Sequence, residues 1–227
     1  NQLSYGGIRL ILMNFYTINI SMKNCYNFKK SYADDTALCI EFFKDKITEM
    51  VDRRFVTRSW HYWDPVTLEI KEQLGTKLEL LRDFQECNIG IHHVNLFICR
   101  EGVVGGLHID NASDPRHCSI NIPLTGCELS EIFWVREDQF QLGNFDLRNG
   151  VRAGYPQGVD MNDPAGWDIV DTASLARTVL IKTDTWHTVD NRKNSVPRVC
   201  LAFRLLGNPS FSKIFNVLTE KGLLETE

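Results

Sequence analysis

From Val94 onward the chain is cut into short apolar runs separated by glycine, proline and polar clusters: VNLFICR (94–100), GLHID (106–110), CSINIPL (118–124), EIFWV (131–135), TVLIK (178–182), WHTVD (186–190) and RVCLAFRL (198–205). Runs of this length have the size of strands, and the turn signals between them leave no room for the regular crossover helices of a parallel α/β fold. The pattern predicts a mainly β chain that closes as a sandwich or barrel, with a jelly roll, the double-stranded β-helix of cupin-like proteins, as the economical choice.

The first third has a different texture. TALCIEFFKDKITEMVD (36–52) places Leu38, Phe42, Ile47 and Val51 on one face of a helix, and a second helical stretch runs from Pro65 to Phe84 with Gly75 as its point of breakage. The expected organisation is a single domain. It comprises an N-terminal extension over 1–30, a mostly helical support over 36–85, the jelly-roll core over 94–206 and a C-terminal helix within 207–227. Within the core, residues 137–173 contain RNGVRAGYPQG and MNDPAGWD and read as a long irregular insertion that helps form a substrate entrance.

The bulk numbers narrow the function class. A hydrophobic fraction of 43% and a charged fraction of 24% are globular values, and a net charge of −4 disfavours a surface built to neutralise phosphates, so a nucleic-acid partner is unlikely. The apolar run from Ile8 to Met13 is too short to span a bilayer, so no membrane partner is expected. Seven cysteines without Cys-x-x-Cys pairing read as reduced thiols and point to a cytoplasmic location. Oligomeric state has no signature.

Chemistry concentrates in GLHID. On a strand, residues two apart share a face, so His108 and Asp110 project one imidazole and one carboxylate side by side, two adjacent corners of a metal site. A third ligand must come from elsewhere: His61, His92, His93, His117, His187 or an acid. His187 is the best placed, because a jelly roll brings late strands beside early ones. Two histidines and one carboxylate form the facial triad of non-haem Fe(II) sites, with the opposite face open. In RVCLAFRL, alternation puts Arg198, Cys200, Ala202 and Arg204 on one face. A buried arginine among small residues calls for an anion, most naturally a carboxylate held through both guanidinium arms.

Taken together, HID followed some eighty residues later by WHTVDNRKNSVPRVCLAFRL resembles the Fe(II)/2-oxoglutarate-dependent oxygenase superfamily, over Val94 to Leu206. RHCSINIPL (116–124) is similar to the strand that follows the first ligands in its prolyl- and aspartyl-hydroxylase-like members. The resemblance implies a double-stranded β-helix, Fe(II) held by the catalytic residues His108, Asp110 and His187, and the far carboxylate of 2-oxoglutarate on Arg198. It also implies that Ser119 and Asn121, with Arg204, help hold the co-substrate. The expected reaction consumes O2 and 2-oxoglutarate and hydroxylates a peptide side chain or a small metabolite. The alternatives are a cupin-like metal-binding protein without 2-oxoglutarate turnover, and the nucleic-acid dealkylating branch, which shares the two arginines six apart but has a longer gap from its distal histidine to the first of them.

Other polar residues invite plainer readings. His92 and His93 are adjacent and lack a partner at ligand spacing, which suits structural roles, and His117 suits a turn. The aromatic RSWHYWDP (58–65) suits packing of a helix against the barrel, with Arg53, Arg54 and Arg58 as a solvated helix end.

Overall fold

The computed structural model describes residues 22–53, 57–62, 72–110, 117–144, 153–158, 160 and 163–226. Its elements in chain order are β1 (Cys25–Asn27), α1 (Ala33–Phe42), α2 (Lys44–Asp52), β2 (Thr57–Tyr62), α3 (Glu79–Glu86), β3 (Ile91–Cys99), β4 (Cys118–Thr125), β5 (Glu131–Val135), β6 (Leu142–Asn144), β7 (Gly154–Pro156), β8 (Ile169–Ser174), β9 (Val179–Lys182), β10 (His187–Asp190), β11 (Arg198–Leu205) and α4 (Phe211–Glu220).

Two antiparallel sheets carry the fold. The larger runs β1-β9-β4-β11-β3-β2 and the smaller β10-β5-β8, with β6 and β7 as a separate ribbon. The chain between β3 and β4 adds a fourth member to the smaller sheet, because Val104 bridges Asp190 and His108 bridges His187, both antiparallel, along the free edge of β10. From β3 onward the path goes large sheet, small (104–108), large (β4), small (β5, β8), large (β9), small (β10), large (β11). That alternation is the double-stranded β-helix, and the jelly-roll expectation holds.

Alternation along each strand sorts its side chains. On β11, Val199, Leu201, Phe203 and Leu205 join Leu96, Ile120 and Ile122 in one apolar layer with Leu80, Leu81 and Phe84 of α3 and Ile214 and Leu218 of α4. Phe84 meets Phe203 edge to face at 6.1 Å. The helices therefore cover the outer face of the large sheet, and its inner face is left for the barrel interior. The interior has its own apolar plug of Ile132, Trp134, Leu175, Val179 and Ile181.

Several elements depart from the sequence reading. The helix expected over 36–52 is two helices, because Phe43 leaves helical geometry (φ −97°, ψ 9°) and is buried at 3% exposure. The second helical stretch is interrupted where the sequence reading placed its break: residues 72–73 are helical, a turn containing Gly75 follows, and α3 begins at Glu79, while residues 63–71 lie outside the described residues. α3 has no capping side chain of its own. Asp35 of α1 instead accepts the N–H groups of Glu79 (2.9 Å) and Leu80 (2.8 Å), satisfying two of the helix's orphan donors.

The segment read as an N-terminal extension contributes β1 to the edge of the large sheet, with Cys25 opposite Ile181. The segment read as an irregular insertion contains the ribbon β6–β7 and ends in β8, a full member of the small sheet. Both were hidden because short edge strands carry little apolar periodicity: β8 is exposed or half-exposed throughout. The aromatic stretch 58–65 and Arg54 lie outside the described side chains. Among the described residues no helix is long and apolar enough to cross a membrane.

Candidate metal centre

The bridge between His108 and His187 brings the two histidines together. Each backbone N–H donates to the other's carbonyl at 3.0 Å, so the rings sit 4.5 Å apart, centroid to centroid. Asp110 follows, its own N–H on the Thr183 carbonyl at 3.1 Å. One nitrogen from each ring and one carboxylate oxygen lie within 4.8 Å of one another, and among the described residues no further His, Cys, Asp or Glu joins them.

Both rings are oriented in the same way. His108 Nδ1 faces the Gly106 carbonyl at 2.7 Å and His187 Nδ1 faces the Thr185 carbonyl at 2.8 Å. A carbonyl can only accept, so Nδ1 carries the proton and the lone pair of each neutral ring is on Nε2. This is the arrangement that fixes the tautomer of metal-ligating histidines. His108 Nε2 lies 3.4 Å from Asp110 Oδ1.

Protonation follows from burial and neighbouring charge. Burial alone would raise the Asp110 carboxyl, but the Arg204 guanidinium and His108 hold it well below the usual carboxylate range. Burial, joined by the charge of His108, pushes His187 down to about 4. For His108 burial also works against the imidazolium, yet the hydrogen bond and charge of Asp110 outweigh it and raise the ring. Near neutral pH the site therefore offers an anionic oxygen and a neutral His187.

The register places the remaining residues. Across the inner face of the large sheet, His93, Arg204 and Ser119 form one rung, Asn95, Ala202 and Asn121 the next, then Phe97, Cys200 and Pro123, and finally Cys99 and Arg198. Arg204 stands at the metal end: its Nη2 is 2.6 Å from Asp110 Oδ2 and its Nη1 3.5 Å from Thr183 Oγ1. That short contact is a close ion pair without the alignment of a hydrogen bond, for Asp110 Oδ2 is buried with no aligned donor among the described residues. Ser119 spends its proton on Asn121 Oδ1 at 2.7 Å.

Arg198 stands at the other end of the same face, 3% exposed. Its surroundings are the thiols of Cys200, Cys127 and Cys99. No carboxylate reaches it at ion-pair distance among the described residues, and its Nε has no hydrogen-bond partner. A buried guanidinium in that state costs several kcal/mol unless an anion enters.

Of the residues expected at the site, His108, Asp110, His187 and Arg204 are brought together, with Ser119 and Asn121 on neighbouring rungs and Arg198 at a distance. The adjacent His92 and His93 contact each other through their Nδ1 atoms, and His93 shares the rung of Arg204. His117 is no simple turn residue: its Nδ1 pairs with Asp184 Oδ2 at 2.7 Å. Tyr155 on β7, its ring 6.3 Å from that of His108, was missed. It arrives through a pairing of Gly154 with Ile109, a contact across the insertion that no local pattern announces.

No family model matches the chain, and no curated protein matches it. Among solved structures it is similar to HygX from Streptomyces hygroscopicus, with nickel and 2-oxoglutarate bound, at 12% identity and TM-score 0.45 over 80% of this chain and 81% of that one. It is similar also to a Pseudomonas putida prolyl-4-hydroxylase, at 14% identity and TM-score 0.41 over 80% of this chain and 92% of that one. A third similarity is to vicilin from Corylus avellana (hazelnut), at 10% identity and TM-score 0.31 over 66% of this chain and only 29% of vicilin's length. All three likenesses are loose, and the fold assignment rests on the strand pairing.

Proposed function

We propose that the chain is an Fe(II)- and 2-oxoglutarate-dependent oxygenase that hydroxylates a peptide side chain or a small metabolite. The observation that carries this reading is the convergence of His108, Asp110 and His187 within 4.8 Å, both histidines anchored through Nδ1, in a barrel whose inner face also holds the uncompensated Arg198. Two imidazoles and one carboxylate with an open side suit Fe(II).

In this reading His108, Asp110 and His187 hold the iron, and when bound the iron and 2-oxoglutarate supply the oxidising chemistry, decarboxylation to succinate and CO2 with transfer of one O2 oxygen to substrate. The protein supplies the rest. His187 is already unprotonated at neutral pH and offers its lone pair without first losing a proton. Arg204 holds the Asp110 carboxylate in place through Oδ2, leaving Oδ1 toward the histidines. Arg198 receives the far carboxylate of the co-substrate, turning an unfavourable buried charge into a pair. Leu107 and Trp186, each the residue before a histidine, are buried with Val104, Val135 and Trp167 and keep water from that side of the site. All seven cysteines are buried and unpaired, which supports a reducing, cytoplasmic setting.

The test is succinate formation from 2-oxoglutarate by the purified protein with Fe(II) and O2, alongside His187→Ala. Slow turnover without added substrate, abolished by the variant, supports the oxygenase. Metal bound through the same residues with no 2-oxoglutarate consumed would reduce the chain to a cupin-like metal-binding protein.

A further inference from the structure

The ribbon β6–β7 is stitched to the strand that carries the first two candidate ligands. Gly154 and Ile109 exchange both backbone hydrogen bonds in an antiparallel bridge, Ile109 N–H to the Gly154 carbonyl at 2.8 Å and Gly154 N–H to the Ile109 carbonyl at 3.0 Å. One step along that bridge sets Tyr155 opposite His108, and the two rings lie 6.3 Å apart, centroid to centroid. With the pairings of Gly143 to Tyr155, His108 to His187 and His187 to Trp134, a single rung runs Gly143, Tyr155, His108, His187, Trp134. Residues on one rung project from the same face of a sheet. Tyr155 therefore stands on the metal-facing side, directly beside His108.

Exposure along the rung rises toward Tyr155. Trp134 is 1% exposed and His187 4%, whereas the His108 side chain is 29% exposed and Tyr155 is half-buried. The centre thus opens on the Tyr155 side, and a molecule that arrives from solvent meets this ring before it reaches His187. The adjoining positions of the ribbon are small: Gly143 has no side chain, and Ala153, which the register sets opposite Asp110, has only a methyl group. A tyrosine among small neighbours offers a flat ring, and a ring favours offset-stacked or edge-to-face contact with another ring over contact with a saturated group of the same size.

We infer that Tyr155 is a specificity-determining residue of the metal centre, and that an aromatic group of the substrate lies against its ring and is held there on the His108 side. An aromatic side chain of a peptide and a small aromatic metabolite share this chemistry. Calling the bound molecule the substrate rests on the oxygenase reading; the aromatic preference beside the metal does not.

The experiment is an NMR titration of the Co(II)-loaded full chain, with the Zn(II)-loaded protein as diamagnetic reference. The probes are two matched pairs, benzyl alcohol with cyclohexylmethanol, and N-acetylphenylalaninamide with N-acetylcyclohexylalaninamide. In the wild type the aromatic member of each pair is expected to bind about 2–10-fold more tightly, with its ring protons relaxed faster by Co(II) than by Zn(II). The preference should vanish in Tyr155→Leu and persist in Tyr155→Phe, which keeps the ring, with Co(II) affinity equal in all three proteins. The wild-type comparison and Tyr155→Phe decide the matter even where Tyr155→Leu fails to fold. Tighter binding of the phenylalanine amide than of benzyl alcohol identifies a peptide source, and the reverse order a small metabolite. Equal binding of aromatic and saturated probes, binding without the Co(II) relaxation, a preference that survives Tyr155→Leu, or no binding of any probe at millimolar concentration overturns the inference while intact Co(II) binding leaves the metal centre standing. An aromatic preference in a protein that forms no succinate supports the role of Tyr155 and overturns the oxygenase reading.

Discussion

Replacing Arg198 by methionine should separate stability from function in opposite directions. The guanidinium is 3% exposed and faces thiols, with no carboxylate at ion-pair distance among the described residues, so in the ligand-free protein it is a net cost. Exchanging a poorly compensated buried ion for an apolar side chain of similar volume stabilises by roughly 1–4 kcal/mol. For a chain of this size each kcal/mol shifts Tm by about 2–4 °C, so Arg198→Met is expected to melt roughly 2–15 °C above the wild type. Addition of 2-oxoglutarate narrows that gap or reverses it. A ligand at a hundred times its Kd stabilises by about 2.7 kcal/mol, and only the wild type should gain it. The assay is thermal denaturation of both proteins with Ni(II), with and without 2-oxoglutarate. An Arg198→Met protein that melts below the wild type without ligand would refute the reasoning, because the guanidinium would then already be satisfied and have a structural role.

Three further outcomes are expected. His108→Ala and His187→Ala should abolish tight divalent-metal binding, whereas Arg204→Gln, which frees Asp110 Oδ2, should weaken it about 10–100-fold while leaving the far-UV circular dichroism unchanged. Gly126→Ala should destabilise by more than about 1 kcal/mol in urea unfolding, since the residue has φ +60° and a methyl group there would stand 2.3 Å from the Pro197 carbonyl oxygen. Arg192 holds the Asp190 carboxyl below its ordinary value despite its burial. A depressed carboxyl stabilises the fold at pH above its unfolded value of about 3.9 and loses that contribution as the pH falls through the lower folded value. The stability difference between wild type and Asp190→Asn should therefore be constant at neutral pH and shrink below about pH 4; a difference unchanged down to pH 2 would assign the effect to packing.

Much of the core was legible because β alternation is a local signal. RVCLAFRL spans the eight residues of β11, and EIFWV the five of β5. The same period put Arg198 and Arg204 on one face before any neighbour was known. Edge strands escaped. β8 packs no continuous apolar side, and β1 is three residues long, so neither has enough sequence to display a period. The helix break at Phe43 was invisible for a different reason: the apolar spacing continues across it, and what ends α1 is the burial of that ring.

At the site, spacing along the chain sets the donor types and their local geometry: an imidazole and a carboxylate two apart, a distal histidine, and an arginine face on the last strand. These are properties of spacing along one strand, and a strand's pleat imposes them whatever lies opposite. Which atoms meet depends on long-range packing. The pairing of residue 108 with residue 187 is a contact across 79 positions, set by the wrapping of the two sheets. The same closure turns Arg204 onto Asp110, ties His117 to Asp184, and leaves Arg198 Nε buried without a hydrogen-bond partner among the described residues. Whether a buried polar group is satisfied depends on every element packed around it, and that is information no single stretch of chain contains.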